Sequence, residues 1–217
     1  MDIVSSVAVA AGLAWASGIR LYAVLFLAGL LGRYGFIHLP ETLAVLQHPF
    51  VIAASGFMFA IEFFADKIPA LDSLWDGIHT FIRIPAGALL AAMALGDHDP
   101  AVMVAAGILG GTLAAGTHAA KAGSRALINT SPEPVSNVMA SLTEEALVFG
   151  GLFIAFQHPV LFLVLLALFV LLLLWMLPKL WRGVRTAFRR LSGRGAERIP
   201  PADQTHDAPS TVPTTRQ

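Results

Sequence analysis

The chain has no cysteine. That excludes a disulfide framework, thiolate metal sites and a cysteine nucleophile together, and it leaves the redox compartment open. Charge is scarce as well: Asp, Glu, Lys and Arg make up 13% of the 217 residues and cancel to a formal net charge of zero. Without a basic excess there is no electrostatic footprint for nucleic acid. Enzyme signatures are missing too, with no Walker A loop, no G-x-S-x-G elbow, no H-E-x-x-H pair and no Rossmann fingerprint, so no cofactor is expected. These absences lower the expectation of an enzyme without excluding an intramembrane one. The start, Met1-Asp2, lacks the basic residues of a signal peptide, so the first apolar run is expected to be retained.

What is abundant is hydrocarbon. Hydrophobic residues are 56% of the chain and mean hydropathy is +0.72, more than a soluble domain of this size can solvate. The expectation is an all-α integral membrane bundle of about six spans over residues 1–180, with the lipid bilayer as its first partner. Residues 181–217 should follow as a basic juxtamembrane segment and then a disordered, Pro/Thr/Asp-rich cytoplasmic tail. The first run, 3–31, is interrupted only by Arg20. At about 43 Å against a hydrocarbon core of about 30 Å, it must tilt or break near Ser17-Gly18. Further spans are expected at 49–64, 84–95, 101–120, 138–156 and 160–177, the last a lipid-facing anchor. Small residues recur at every fourth position at Ala8, Gly12 and Ala16, and again at Gly107, Gly111, Ala115 and Ala119, which lets membrane helices approach closely.

The polar residues fall in two places. In 65–85, Ile68, Leu71, Trp75, Ile78 and Ile82 keep helical spacing, while Asp72, Asp76, His79 and Arg83 recur on a different face. This predicts an amphipathic helix at the membrane interface. Its polar row is either the wet side of that helix or a ligand or metal face, and with Asp66 and Lys67 it would form a cytoplasmic mouth. The second place is 116–145, which carries His118, Lys121, Arg125, Asn129, Glu133, Asn137, Ser141, Glu144 and Glu145 from one apolar segment into the next. Charges at bilayer depth cost roughly 2.5 to 3.5 kcal/mol each, so such groups usually face a protein interior or a water-filled cavity.

Several of these residues admit two readings. Lys121 and Arg125 either hold an anionic group or anchor the end of a span. Glu144 and Glu145 point about 100° apart on a helix, so at least one faces the bundle and needs Lys121, Arg125 or Arg20 as partner. Such a carboxylate either handles protons or belongs to an ion pair that only fixes packing. Arg20 either snorkels or, if its helix breaks, becomes a site residue. Glu62, near the end of the second span, joins the set. The Asn129-Thr130-Ser131 glycosylation pattern would mean nothing on the cytoplasmic side.

Six spans with both termini in the cytoplasm put Lys67, Arg83, Lys121, Arg125 and the basic tail inside, leaving Arg33 outside. Leu13-Ala14-Trp15-Ala16-Ser17 matches Leu113-Ala114-Ala115-Gly116-Thr117, each followed by a cation, Arg20 or Lys121. That suggests an inverted 3+3 repeat pairing the first and fourth spans near the midplane.

The stretches EFFADKIPALDSLWDGIHTFIRIPAGALLAA and GTHAAKAGSRALINTSPEPVSNVMASLTEE resemble the two signature stretches of a family of small bacterial membrane proteins known as domain of unknown function 4126. The similarity covers about residues 7–177. It implies a multi-pass protein of the bacterial inner membrane and brings no established activity or catalytic residue.

The residues point to a small-solute or ion transporter or channel with a polar cavity between the first, second, fourth and fifth spans. Glu144 or Glu145 would accept a proton or cation, Lys121, Arg125 and Arg20 would be counter-charges or anion contacts, and Asp72, Asp76 and His79 would line the mouth. The rivals are a non-transporting scaffold that binds a partner or lipid, and an intramembrane lipid-modifying enzyme. A homo-oligomer is compatible with each.

Overall fold

The computed structural model describes residues 2–129 and 134–196. Glu133, most of the glycosylation pattern and the tail from residue 197 lie outside the described residues. The fold is an all-α bundle of α1 (Ile3–Arg33), a 3-10 helix (Glu41–Gln47), α2 (Pro49–Ala65), α3 (Pro69–Ala94), α4 (Pro100–Ile128), α5 (Pro134–Gln157) and α6 (Pro159–Ala196). Five of these helices are long and apolar enough to cross a membrane, or six if the 3-10 helix and α2, bent by 66°, count as one broken span. The protein is a multi-pass membrane protein.

Local sequence sets the helix starts. Each of α2 to α6 opens on a proline, at a position where the missing N–H costs no intrahelical bond. Asp99 caps α4 by accepting from the Ala101 N–H at 2.7 Å, and Asp2 caps α1 by accepting from the Ser5 N–H at 2.7 Å. That bond holds the Asp2 carboxyl below its ordinary pKa. α6 runs on through Pro178 to Ala196, so the basic juxtamembrane stretch continues the last helix.

α1 is two legs joined at Arg20, whose φ of −145° and ψ of 85° are extended. The first leg packs on α4, α5 and α6. Gly12 faces Ala155 and Phe162, Trp15 covers Gly151, and Gly18 lies against Ala114 and Thr117. Numbers therefore rise together along the first leg and α4, and fall along α5.

The second leg packs on α2. Phe26 stacks on Phe59 at 6.3 Å, and Phe59 meets Phe149 of α5 at 6.1 Å. Ser141 bonds Arg20, and Phe149 stands about 12 Å further toward the N-terminal end of α1. A straight α1 would carry Phe26 about 9 Å the other way, too far for one ring to touch both. The second leg therefore turns back. Thr42 agrees: it donates to the Met93 carbonyl, and α3 reaches Met93 after passing Ser17 at Gly87.

This path differs from the expected one in two respects. With the reversal at Arg20, the chain runs seven legs, and the N-terminal end of α1 and the C-terminal end of α6 lie at opposite ends of the bundle. The first leg of α1 does pair with α4 as expected, at Gly18 and Ala114, but the two run in the same direction, whereas inverted halves would oppose them.

α3 also differs. The amphipathic stretch is the first half of one 26-residue helix, and its polar row faces inward, with Asp72, Asp76, His79 and Arg83 no more than 4% exposed. Of its apolar row, Ile68, Leu71, Ile78 and Ile82 are exposed and Trp75 is half-buried. In lipid the outer solvent is hydrocarbon, so an amphipathic helix turns its polar face to the partners inside. The apolar core lies below, where Val9, Leu13, Val24, Leu90, Val148 and Leu152 pack together.

Candidate functional site

The buried charges form one network rather than a mouth and a separate cavity. It gathers the turn of α1, the end of α2, the first halves of α3 and α5 and the second half of α4. Arg20 stands at its centre because the break in α1 frees its side chain to point into the bundle. Its Nη2 lies 2.5 Å from Asp66 Oδ2 and donates to Ser141 Oγ at 2.8 Å, with Glu144 and Glu145 each at 3.5 Å.

Arg83 donates to Glu62 at 2.5 Å and to Asp76 at 2.7 Å. Lys121 reaches Asp66 and Asp76 at 3.5 Å and Glu144 at 3.4 Å, and donates to the Ile19 carbonyl at 3.1 Å. Ile19 has lost its helical partner at the break, so the lysine satisfies it. Arg125 holds Glu144 through two parallel bonds of 2.8 and 3.1 Å and donates to Asn137 Oδ1 at 3.2 Å. These pairs explain why α4 runs past residue 120, where hydropathy alone would end it.

Two histidines extend the network with fixed tautomers. His118 Nδ1 accepts from Arg83 at 3.2 Å, so its Nε2 carries the proton and donates to Thr80 Oγ1 at 2.7 Å. Thr80 in turn donates to the Asp76 carbonyl. His79 Nδ1 donates to the Trp75 carbonyl at 2.8 Å, leaving Nε2 to accept from Tyr22 OH at 3.1 Å. Asn129 donates to Asp72 Oδ2 at 3.0 Å. Lys67 stands apart: it donates to the Phe63 carbonyl and lies 3.0 Å over the Phe63 ring, and burial pushes its pKa down.

The expected site residues other than Lys67 are thus brought together, and α3 supplies a wall that was expected outside. Asp66 is central rather than at a mouth. Tyr22 and Thr80 were missed, because nothing in their spacing separates them from ordinary helix residues. Among the described residues, no group of three His, Asp or Glu is placed to hold a metal ion.

The ionised groups do not balance. Arg20, Arg83, Lys121 and Arg125 are four buried cations, against four buried carboxylates in Glu62, Asp66, Asp72 and Asp76 and two part-exposed ones in Glu144 and Glu145. Glu62 Oε2, Asp66 Oδ1, Asp72 Oδ1 and Asp76 Oδ2 are enclosed with no protein donor. Uncompensated negative charge in such surroundings is expensive.

No curated protein and no solved structure matches the chain. Residues 7–179 match the family model described as domain of unknown function (DUF4126), which takes in every member of the charged network, and the chain belongs to that family.

Proposed function

We propose that this protein is a small-ion carrier or channel of the bacterial inner membrane, in which the surplus carboxylates of the buried network bind a proton or small cation. The observation that carries this reading is the imbalance of six carboxylates, four enclosed and two part-exposed, against four cations, with buried carboxylate oxygens lacking a donor among the described residues. A network that served packing alone would be expected to neutralise itself. The end of the bundle carrying Lys179, Arg182 and Arg185 is the cytoplasmic one under the positive-inside rule, and the end carrying Arg33 is the outer one. The N-terminal end of α1 then faces outward.

Reconstitution tests the function. Purified protein in liposomes, under imposed gradients of H+, Na+ or K+, should dissipate one of them faster than protein-free liposomes. Asp66→Asn and Glu144→Gln should abolish that flux in folded protein, while Glu41→Gln in the 3-10 helix leaves it unchanged. No flux from the wild type, or full flux from Asp66→Asn, would overturn the reading in favour of a scaffold whose network only fixes packing.

A further inference from the structure

α6 touches α4 at two places, with Leu173 against Gly116 and Leu127 against Gly183. Midway between them sits Pro178, which has no N–H for the Leu174 carbonyl and whose ring crowds that carbonyl. Opposite the proline, α4 presents the small residues Ala115, Ala119, Ala122, Gly123 and Ala126. The result is a largely apolar groove of about 780 Å³, walled also by His118 of α4 and by Thr80 and Ile84 of α3. That volume falls within the range of pockets that hold small amphiphilic molecules.

The occupant follows from the surroundings. Leu174, Trp175 and Trp181 on this stretch of α6 are all more than 60% exposed, so the groove opens on the bilayer. Tryptophan prefers headgroup depth, which sets Trp181 near the membrane boundary. One turn beyond, Arg182 and Arg185 follow Pro178 and Trp181 on the same side of the helix, both exposed. An apolar slot with two cations at its mouth has the chemistry of an acyl chain joined to a phosphate.

We propose that this groove seats one acyl chain of an anionic phospholipid, from the leaflet at the C-terminal end of α6, with the headgroup held by Arg182 and Arg185. The chain then lies against the His118–Thr80 pair. Through Arg83, that pair touches the charged network.

Photolabelling of the full chain in vesicles tests this. The probe is phosphatidylglycerol with a diazirine in mid-chain, compared with phosphatidylcholine carrying the same chain. Adducts should concentrate on residues 115–126 and 174–184, with the anionic probe preferred. Arg182→Gln and Arg185→Gln, both on exposed positions, should each reduce that preference about fivefold. Ala119→Trp, which fills the groove from an exposed site, should remove these adducts while labelling around Ile108 and Leu109 persists. Adducts spread in proportion to exposure, or unchanged in Ala119→Trp, overturn the proposal. So does efficient cross-linking of two copies through a cysteine placed at residue 119, which would make the groove a contact between chains.

Discussion

Arg20 and Asp66 meet at 2.5 Å, both fully enclosed, at the point where α1 reverses. The guanidinium replaces the helical order lost at the break with a charged contact to α2. Removing one partner of a buried pair costs about 3 to 5 kcal/mol. Glu144 and Glu145, at 3.5 Å, soften the loss here toward the lower end. Asp66→Ala should therefore lower Tm in detergent by about 10 °C, at a few degrees per kcal/mol for a chain of this size. The double variant Arg20→Met/Asp66→Leu should recover most of it. An Asp66→Ala protein that melts with the wild type would refute the pair's structural role.

The reversal at Arg20 has a topological consequence that the cysteine-free sequence makes simple to measure. Single cysteines at His38, Asp97 and Thr186 can be probed in intact cells with a membrane-impermeant maleimide. His38 follows the second leg of α1, and Asp97 follows α3 where Thr42 meets Gly96, so both lie at one end of the bundle. Thr186 lies at the other. Positions 38 and 97 should label together and position 186 should be protected until the cells are opened. A fourth single cysteine, at Ser5, should label with positions 38 and 97, since the reversal returns the chain to the end where α1 began; labelling of position 5 with position 186 would mean that α1 crosses straight.

The sequence was most legible where hydrocarbon sets the answer. The second span was expected at 49–64 and is Pro49–Ala65, because proline and apolar runs mark helices locally. It was less legible where a residue's meaning depends on its partner. Spacing shows that Asp72, Asp76, His79 and Arg83 share a face, but not whether that face meets water or Lys121 and Glu62. α1 was expected either to tilt or to break near Ser17-Gly18, and its non-helical residue is Arg20, two residues past Gly18. Glycine 18 serves instead as the crossing point with α4, and the bend falls at the arginine whose charge has partners only inside the bundle.

The crossing of α1 and α4 makes its own prediction. A Cβ on Gly18 would stand 2.9 Å from Thr117 Cβ and 3.1 Å from Ala114 Cα, the latter backbone that cannot rotate away. Gly18→Ala should destabilise the protein by about 1 to 3 kcal/mol, read as a lowered Tm. Gly107→Ala is the control, since its Cβ would meet nothing nearer than 3.5 Å. There the gain in helix propensity should leave Tm unchanged or raised. Equal effects at the two glycines would show that close approach is not what Gly18 supplies.

Glu144 and Glu145 are neighbours with opposite expected responses. Glu144 holds Arg125 through two bonds and lies 3.4 Å from Lys121, so Glu144→Gln removes charge from two enclosed cations. That should cost about 2 kcal/mol, in line with hydrogen bonds to charged groups. Glu145 reaches Arg20 and the Ser141 hydroxyl, both at 3.5 Å, and its other charge partner is Lys67, with which it forms no direct ion pair. It belongs to a set in which six carboxylates outnumber four cations, so Glu145→Gln reduces the surplus instead of exposing a cation. Thermal unfolding at neutral pH should show Glu144→Gln lowered by several degrees and Glu145→Gln equal to or above the wild type. If both lose the same stability, the network is not overcharged with acid, and the surplus on which ion binding depends is not there.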